Sequence, residues 1–538
     1  MQRIASSRAV LRLPGNNGTT LSRDVISPVA RHSLAVSAPA IFGHRTTARA
    51  YSSPADGNSS SKSKSSSISS LLWSGSCLAL GAFLSEKYGQ HNFKQDQAVS
   101  TKKPEDPITW RLNTESSVYR GDDISPVVAY YVTRLEASSP CEDRYVHGML
   151  DGAGGQGVGG VTEKPWHAWA VFDGHAGSQT AALLTKRLLP AVQDALQPLD
   201  NKDNIDEGVA AAIKKAFVAL DDDIVKGAID AVKDGIPYHE QVAKLMPAYT
   251  GSCALLSLFD PKTWKLRVAC VGDSRAVLGQ RNDVGGWDAT ALSVDQTGSN
   301  EEETARINAE HPGEDNIVKG GRVLGLMVSR GFGDGRWKWD LDFQSEIKSK
   351  FELGFSPLSP AKYAVKTPPY LTAEPVVTTT QLDRRRATFL IMGSDGFWDR
   401  VSTEQAVNLV GKWLDLHEAE FRSPLGRKGA TAVPTTQWTV VYSTPEAQWP
   451  DVPMTKPKNP REPYSLTKYG WDQPGFQFSK DRETYEDDNA AVHLVRNALG
   501  GNFEGMVKAN LVPEPPFARN ARDDITVQVV FFAGAPSS

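Results

Sequence analysis

The stretch "WHAWAVFDGHAG", residues 166–177, joins an apolar run to an acid, two glycines and a histidine. The run from Trp166 to Phe172 reads as a buried strand. It breaks at Asp173, and the glycines that follow make Gly174 to Gly177 a turn. A carboxylate and an imidazole two residues apart are thereby presented at the end of a strand.

The same arrangement recurs along the chain. "CVGDSRAV" carries Asp273, "IMGSDGFWD" carries Asp395, "RDDITV" carries Asp523 and Asp524, and "PCEDRYV" carries Glu142 and Asp143. A single strand-end aspartate is ordinarily a turn residue that caps the backbone. Five recurrences call for another reading, because acids gathered on one sheet edge repel each other unless cations neutralise them. Oxygen ligands favour hard ions such as Mg²⁺ or Mn²⁺, and without a His/Cys cluster zinc is disfavoured. Two ions roughly 3.5–4 Å apart, bridged by one carboxylate, would activate a water for in-line attack on phosphorus. Phosphoester hydrolysis is the expected chemistry.

Around these sites the texture is globular from about residue 105. Helical spacing places Leu184, Leu188, Val192 and Leu196 on one face, and Val209, Ile213, Ala216, Phe217 and Leu220 on another. "CALLSLF" (253–259) and "KLRVACV" (265–271), joined by "DPKTW", read as a hairpin, and "TFLIMG" and "DITVQVVFF" as later strands. "EDDNAAVHLVRNALGG" reads as a short helix with acids in its first turn and glycines as its stop. Consecutive strands with segregated helices predict an α+β layered fold. No internal repeat is evident, and the proline-rich residues 416–485 read as a surface insertion.

Composition narrows the class. The chain has 538 residues, 40% apolar and 23% charged, and a net charge of −4, which gives no sign of a nucleic-acid surface. Its 4 cysteines lie far apart and form no disulfide framework or CxxC pair. "GAGGQG" (152–157) matches a dinucleotide pattern, but no strand leads into it and "VGGVTEKPW" cannot open a helix, so a flexible glycine loop is the better reading.

The amino-terminal region is different in kind. Residues 1–51 hold seven arginines, no lysine and the single acid Asp24, the composition of a mitochondrial transit peptide, with "RAYSS" offering a cut after Tyr51. A serine-rich linker (52–67) follows, then an uncharged segment (68–85) centred on "LLWSGSCLALGAFL". That length suits either a membrane anchor or a hydrophobic linker. As an inner-membrane span it would keep Lys62 and Lys64 in the matrix and put the folded domain in the intermembrane space; otherwise the matrix is the expected location.

"FDGHAG", "TGSCALL", "VGDSRAVLG", "GGRV", "LMVSRGFGD", "GSDGFWD" and "RDDITV" occur in an order and spacing that resembles the type 2C metal-dependent Ser/Thr protein phosphatases, over about residues 125–533. "SSPCEDR", "NEEETARINAEHP", "RWKWDLDFQ", "PPYLTAEPVV" and "NAAVHLVRNALGG" bring it closest to the mitochondrial pyruvate dehydrogenase phosphatases. The resemblance implies a central β-sandwich of two antiparallel sheets flanked by helix pairs, with two Mg²⁺ or Mn²⁺ ions in a cleft at one end. It implies that Asp173 bridges the ions, that the Gly174 carbonyl ligates one, and that Glu142, Asp395 and Asp523 complete the site. Asp143 would stand behind them, Asp273 would hold a weaker third ion, and His175 would protonate the departing Ser or Thr oxygen. Asp524 stands where the family usually has Asn.

Two positions depart from the pattern. Ser138 replaces an arginine that grips phosphate in many members, leaving Arg144 and Arg330 as candidates for that role. Gln296 stands where dehydrogenase phosphatases more often show His. The implied partner is a phosphorylated mitochondrial protein, with the pyruvate dehydrogenase E1 subunit favoured over another phosphoprotein. An inactive phosphatase-like binding module would need to have lost Asp173, Asp395 or Asp523, and all three are present.

Overall fold

The computed structural model describes residues 106–121, 125–152, 165–199, 205–351, 365–422, 477–515 and 517–533. The residues read as a transit peptide, a linker and an apolar segment, those of the glycine-rich motif beyond Gly152, and residues 423–476 of the stretch read as an insertion lie outside the described residues.

Eleven longer strands form two sheets. In chain order they are β1 (Ser116–Arg120), β2 (Val127–Leu135), β3 (Arg144–Leu150), β4 (Trp166–Phe172), β5 (Ala254–Asp260), β6 (Lys265–Val271), β7 (Arg275–Arg281), β8 (Trp287–Ala291), β9 (Val376–Gln381), β10 (Thr388–Gly393) and β11 (Ile525–Phe532). One sheet has the order β1-β2-β11-β10-β7-β8 and the other β9-β6-β5-β4-β3. Every pairing within both sheets is antiparallel.

The two sheets face each other across a shared core. Trp169, Val171, Leu255, Phe259 and Val268 from one sheet pack with Tyr130, Leu278, Leu390, Met392 and Val530 from the other. Alternate residues of β4, Ala168, Ala170 and Phe172, point the other way into a layer built by the helices Gln179–Leu196, Ile205–Lys233 and Tyr238–Tyr249. This two-sided burial is why the β4 sequence is almost continuously apolar instead of alternating. Helices Thr403–Arg422, Ala490–Leu499 and Glu504–Leu511 cover the outer face of the other sheet through Val407, Trp413, Leu494 and Val495. The α+β sandwich is the expected fold.

Local expectations fare well, with two corrections. Leu184, Leu188, Val192 and Leu196 are all fully buried. The hairpin closes with Asp260 opposite Lys265, and the Asp260 side chain accepts from the Lys262 and Thr263 amides across the turn. Helix Ala490–Leu499 has no acid in its first turn. Asn489 caps it, accepting from the Ala491 and Val492 amides, while the preceding Asp487 turns back to bind the Arg496 guanidinium at 2.7 Å. Helix Thr403–Arg422 runs past residue 416, so the start of the stretch read as an insertion is helical; its apolar stripe continues through Trp413 onto the sheet. Among the described residues no helix is long and apolar enough to cross a membrane. Cys141, Cys253 and Cys270 are buried free thiols.

Candidate active site

The acids converge at one end of the sandwich because their strands do. Asp173 leaves β4, Asp273 follows β6, Asp395 opens the short helix Asp395–Trp398 directly after β10, and Asp523 precedes β11. One carboxylate oxygen each from Asp173, Asp273 and Asp395 lies within 4.8 Å of the others. The Asp395 amide donates to Asp173 Oδ2 at 3.3 Å, tying the two segments together. Burial, followed by repulsion from Asp395, Asp143 and Asp273, holds the Asp173 carboxyl well above the usual carboxylate range. Burial and Asp273 raise Asp395 to about 6. An all-oxygen set of mutually repelling acids fits hard divalent cations.

Asp273, expected to hold a weaker third ion, lies together with Asp173 and Asp395, and it also accepts from the Cys253 thiol at 3.2 Å. Glu142 and Asp523 stand outside the trio and adjoin it through the backbone. The Glu142 carbonyl passes so close to Gly174 that a Cβ there would sit 2.5 Å from it, which requires glycine at 174. Likewise a Cβ on Gly396 would lie 3.1 Å from the Asp523 Cβ.

Two buried acids support this edge. Asp143 accepts from the Ser394 hydroxyl at 2.7 Å, and burial together with Asp524 raises it to about 7. Asp524 Oδ1 accepts from the Ala137 and Ser138 amides, and Oδ2 from the Glu142 amide at 2.9 Å. A carboxylate here binds three amides on the loop that carries Glu142. An asparagine would replace one of those acceptor oxygens with a donor.

His175 lies on a small ribbon in which Gly174–His175 pairs with Gly251–Ser252, and Gly251–Ser252 with Phe332–Gly333. Its Nε2 lies 2.8 and 3.0 Å from the two carboxylate oxygens of Asp334. Burial works against a protonated imidazole, but the Asp334 carboxylate outweighs it, and the His175 pKa is raised. Gly251 makes room for the pair: a Cβ there would fall 2.0 Å from Nε2 and 2.3 Å from Asp334 Oδ1. Sequence reasoning passed over Asp334. The only signal was the acid closing "LMVSRGFGD", which adopts a left-handed φ of 52° at a turn.

The arginines proposed for phosphate are occupied elsewhere. Arg144 donates to the carbonyls of Cys141 and Asp143. Arg330 donates twice to Glu303, at 3.0 and 2.6 Å, and once to the Glu374 carbonyl. Gln296 bonds the Val294 carbonyl at 2.8 Å.

The family model described as protein phosphatase 2C matches residues 136–430. A protein phosphatase 2C homolog of Schizosaccharomyces pombe is 36% identical over 437 residues, covering 79% of this chain and 85% of that one. The mitochondrial pyruvate dehydrogenase (acetyl-transferring) phosphatase 1 of Saccharomyces cerevisiae is 34% identical over 427 residues, covering 76% and 70%. The human protein of that name is 29% identical over 486 residues, covering 77% and 79%. With antiparallel sheets stacked as a sandwich and acids gathered at one end, the chain belongs to the protein phosphatase 2C family and is a protein serine/threonine phosphatase.

Proposed function

We propose that this phosphatase works with two Mg²⁺ or Mn²⁺ ions on a mitochondrial phosphoprotein, the favoured substrate being the pyruvate dehydrogenase E1 subunit. The observation that carries the metal dependence is the carboxylate trio of Asp173, Asp273 and Asp395 within 4.8 Å. Those residues, with Glu142, Asp523 and the Gly174 carbonyl, would hold the ions. When bound, the cations neutralise phosphoryl charge and acidify the attacking water. Asp143 and Asp524 orient the segments that carry the ligands. His175 delivers a proton to the leaving serine or threonine oxygen. Because Nε2 is engaged by Asp334, Nδ1 is the nitrogen left to make that transfer.

The substrate follows from the mitochondrial dehydrogenase phosphatases that the chain resembles. The arginine-rich residues 1–51 support import, with residues 68–85 as an anchor or linker ahead of a catalytic domain at 105–535. The test is phosphate release from a phosphoserine peptide of the E1 subunit. Mn²⁺-dependent release abolished by EDTA and by Asp395→Asn is expected. Release that survives exhaustive chelation would sink the two-ion site, and preference for an unrelated phosphopeptide would sink the substrate. Protease treatment of mitochondria with a ruptured outer membrane separates the two locations, since only a domain in the intermembrane space is digested.

A further inference from the structure

Ser138 leaves the phosphate without the expected cation, and Arg144 and Arg330 are tied to carbonyls and to Glu303. Arg275 is likewise held by both carboxylate oxygens of Asp295, at 3.1 and 2.7 Å. Another arginine reaches the acidic edge from the carboxy-terminal segment. Arg519 lies on the 3-10 turn Phe517–Asn520, four residues before Asp523, and forms an ion pair with the Asp523 carboxylate. Its side chain is 44% exposed, whereas that of Asp523 is 22% exposed, so the guanidinium stands on the solvent side of the acid.

We propose that Arg519 is the phosphate-binding arginine of this enzyme, gripping the phosphoryl oxygens of the substrate from the Asp523 side of the cleft. The inference rests on the phosphatase reading above. Two observations support it. Asp523 packs against Gly396 at the start of the helix that begins with Asp395, so its ion-pair partner borders the carboxylate trio. Second, the pair with Asp523 is partly exposed to solvent, the kind of ion pair that is weak and easily exchanged. With Asp523 holding a metal ion, the planar donor fork of Arg519 would be released for a phosphoryl group, which it suits by bidentate binding.

The test uses the full chain at saturating Mn²⁺, with Arg519→Ala and Arg519→Lys. The readouts are KM for a phosphothreonine peptide, the inhibition constant of inorganic phosphate, and Mn²⁺ affinity by calorimetry. Arg519→Ala should raise both KM and the phosphate inhibition constant about ten- to a hundredfold, the span of a lost charged hydrogen bond. Mn²⁺ affinity should hold. Arg519→Lys, which keeps the charge but not the fork, should fall between. Unchanged KM and phosphate inhibition would overturn the proposal. So would a loss confined to kcat and Mn²⁺ affinity, which would make Arg519 a mere prop for Asp523. If the wild-type chain hydrolyses no phosphopeptide, the phosphatase reading fails by itself. Calorimetric phosphate binding to the Mn²⁺-loaded protein then decides on Arg519: weaker binding by the alanine variant supports the assignment and equal binding overturns it.

Discussion

His175 Nε2 and Asp334 Oδ1 are 2.8 Å apart, although 159 residues separate them in the chain. This contact fixes one nitrogen of the imidazole against a buried acid and favours the protonated ring. A proton donor matters most for a poor leaving group such as a serine or threonine alkoxide. His175→Ala should therefore lose about 10²–10⁴ in rate on a phosphopeptide and a smaller fraction on p-nitrophenyl phosphate, whose leaving group departs readily as an anion. Asp334→Asn should show the same asymmetry in milder form. Equal losses on both substrates, with Mn²⁺ binding intact, would rule out the acid role.

Gly251 offers a test of the same contact from the other side. The Cβ of Gly251→Ala would meet Nε2 at 2.0 Å and the Asp334 carboxylate at 2.3 Å, so the pair must separate. Turnover on the phosphopeptide should drop by an amount comparable to that of Asp334→Asn. Normal turnover in a folded variant would show that the pair is dispensable.

Removing charge from the carboxylate trio should divide activity from stability. Asp395→Asn takes away a proposed ligand and should nearly abolish turnover at saturating Mn²⁺. In chelated protein the same change relieves repulsion among Asp173, Asp273 and Asp395, so thermal unfolding should occur at an equal or higher Tm than wild type. A large fall in Tm under chelation would mean that Asp395 is primarily structural.

Glu303 sets an acid limit on stability. Burial would raise its carboxyl, but Arg330, Arg306 and the Ser329 hydroxyl prevail and lower it to about 2. The folded value lies below the unfolded one of roughly 4.3, so the stabilisation is full above that pH and is lost as pH falls through about 2. Glu303→Gln should cost on the order of 2–3 kcal/mol at pH 7, a penalty that shrinks steadily between about pH 4 and pH 2. Denaturant unfolding at several pH values measures it. A penalty independent of pH would refute the electrostatic account.

The sequence determined those features that rest on neighbouring residues. Hydrophobic runs ended by Asp-Gly or Gly-Asp mark strand ends, and Asp173, Asp273, Asp395 and Asp523 were legible because side-chain period and turn chemistry are local. The apolar β4 run likewise announced a buried strand. Tertiary structure decided which of these acids meet. Asp273 joins Asp173 and Asp395 because β6, β4 and β10 end at the same edge, an outcome of strand order across two sheets. Asp334 reaches His175 through a three-strand ribbon of two-residue segments, too short to leave a periodic trace. Arg330 illustrates the same limit: it is an arginine within a motif, and only packing gives it to Glu303. An ion pair is chosen by proximity in space, and for Arg330 that proximity is set by a partner 27 residues away in the chain.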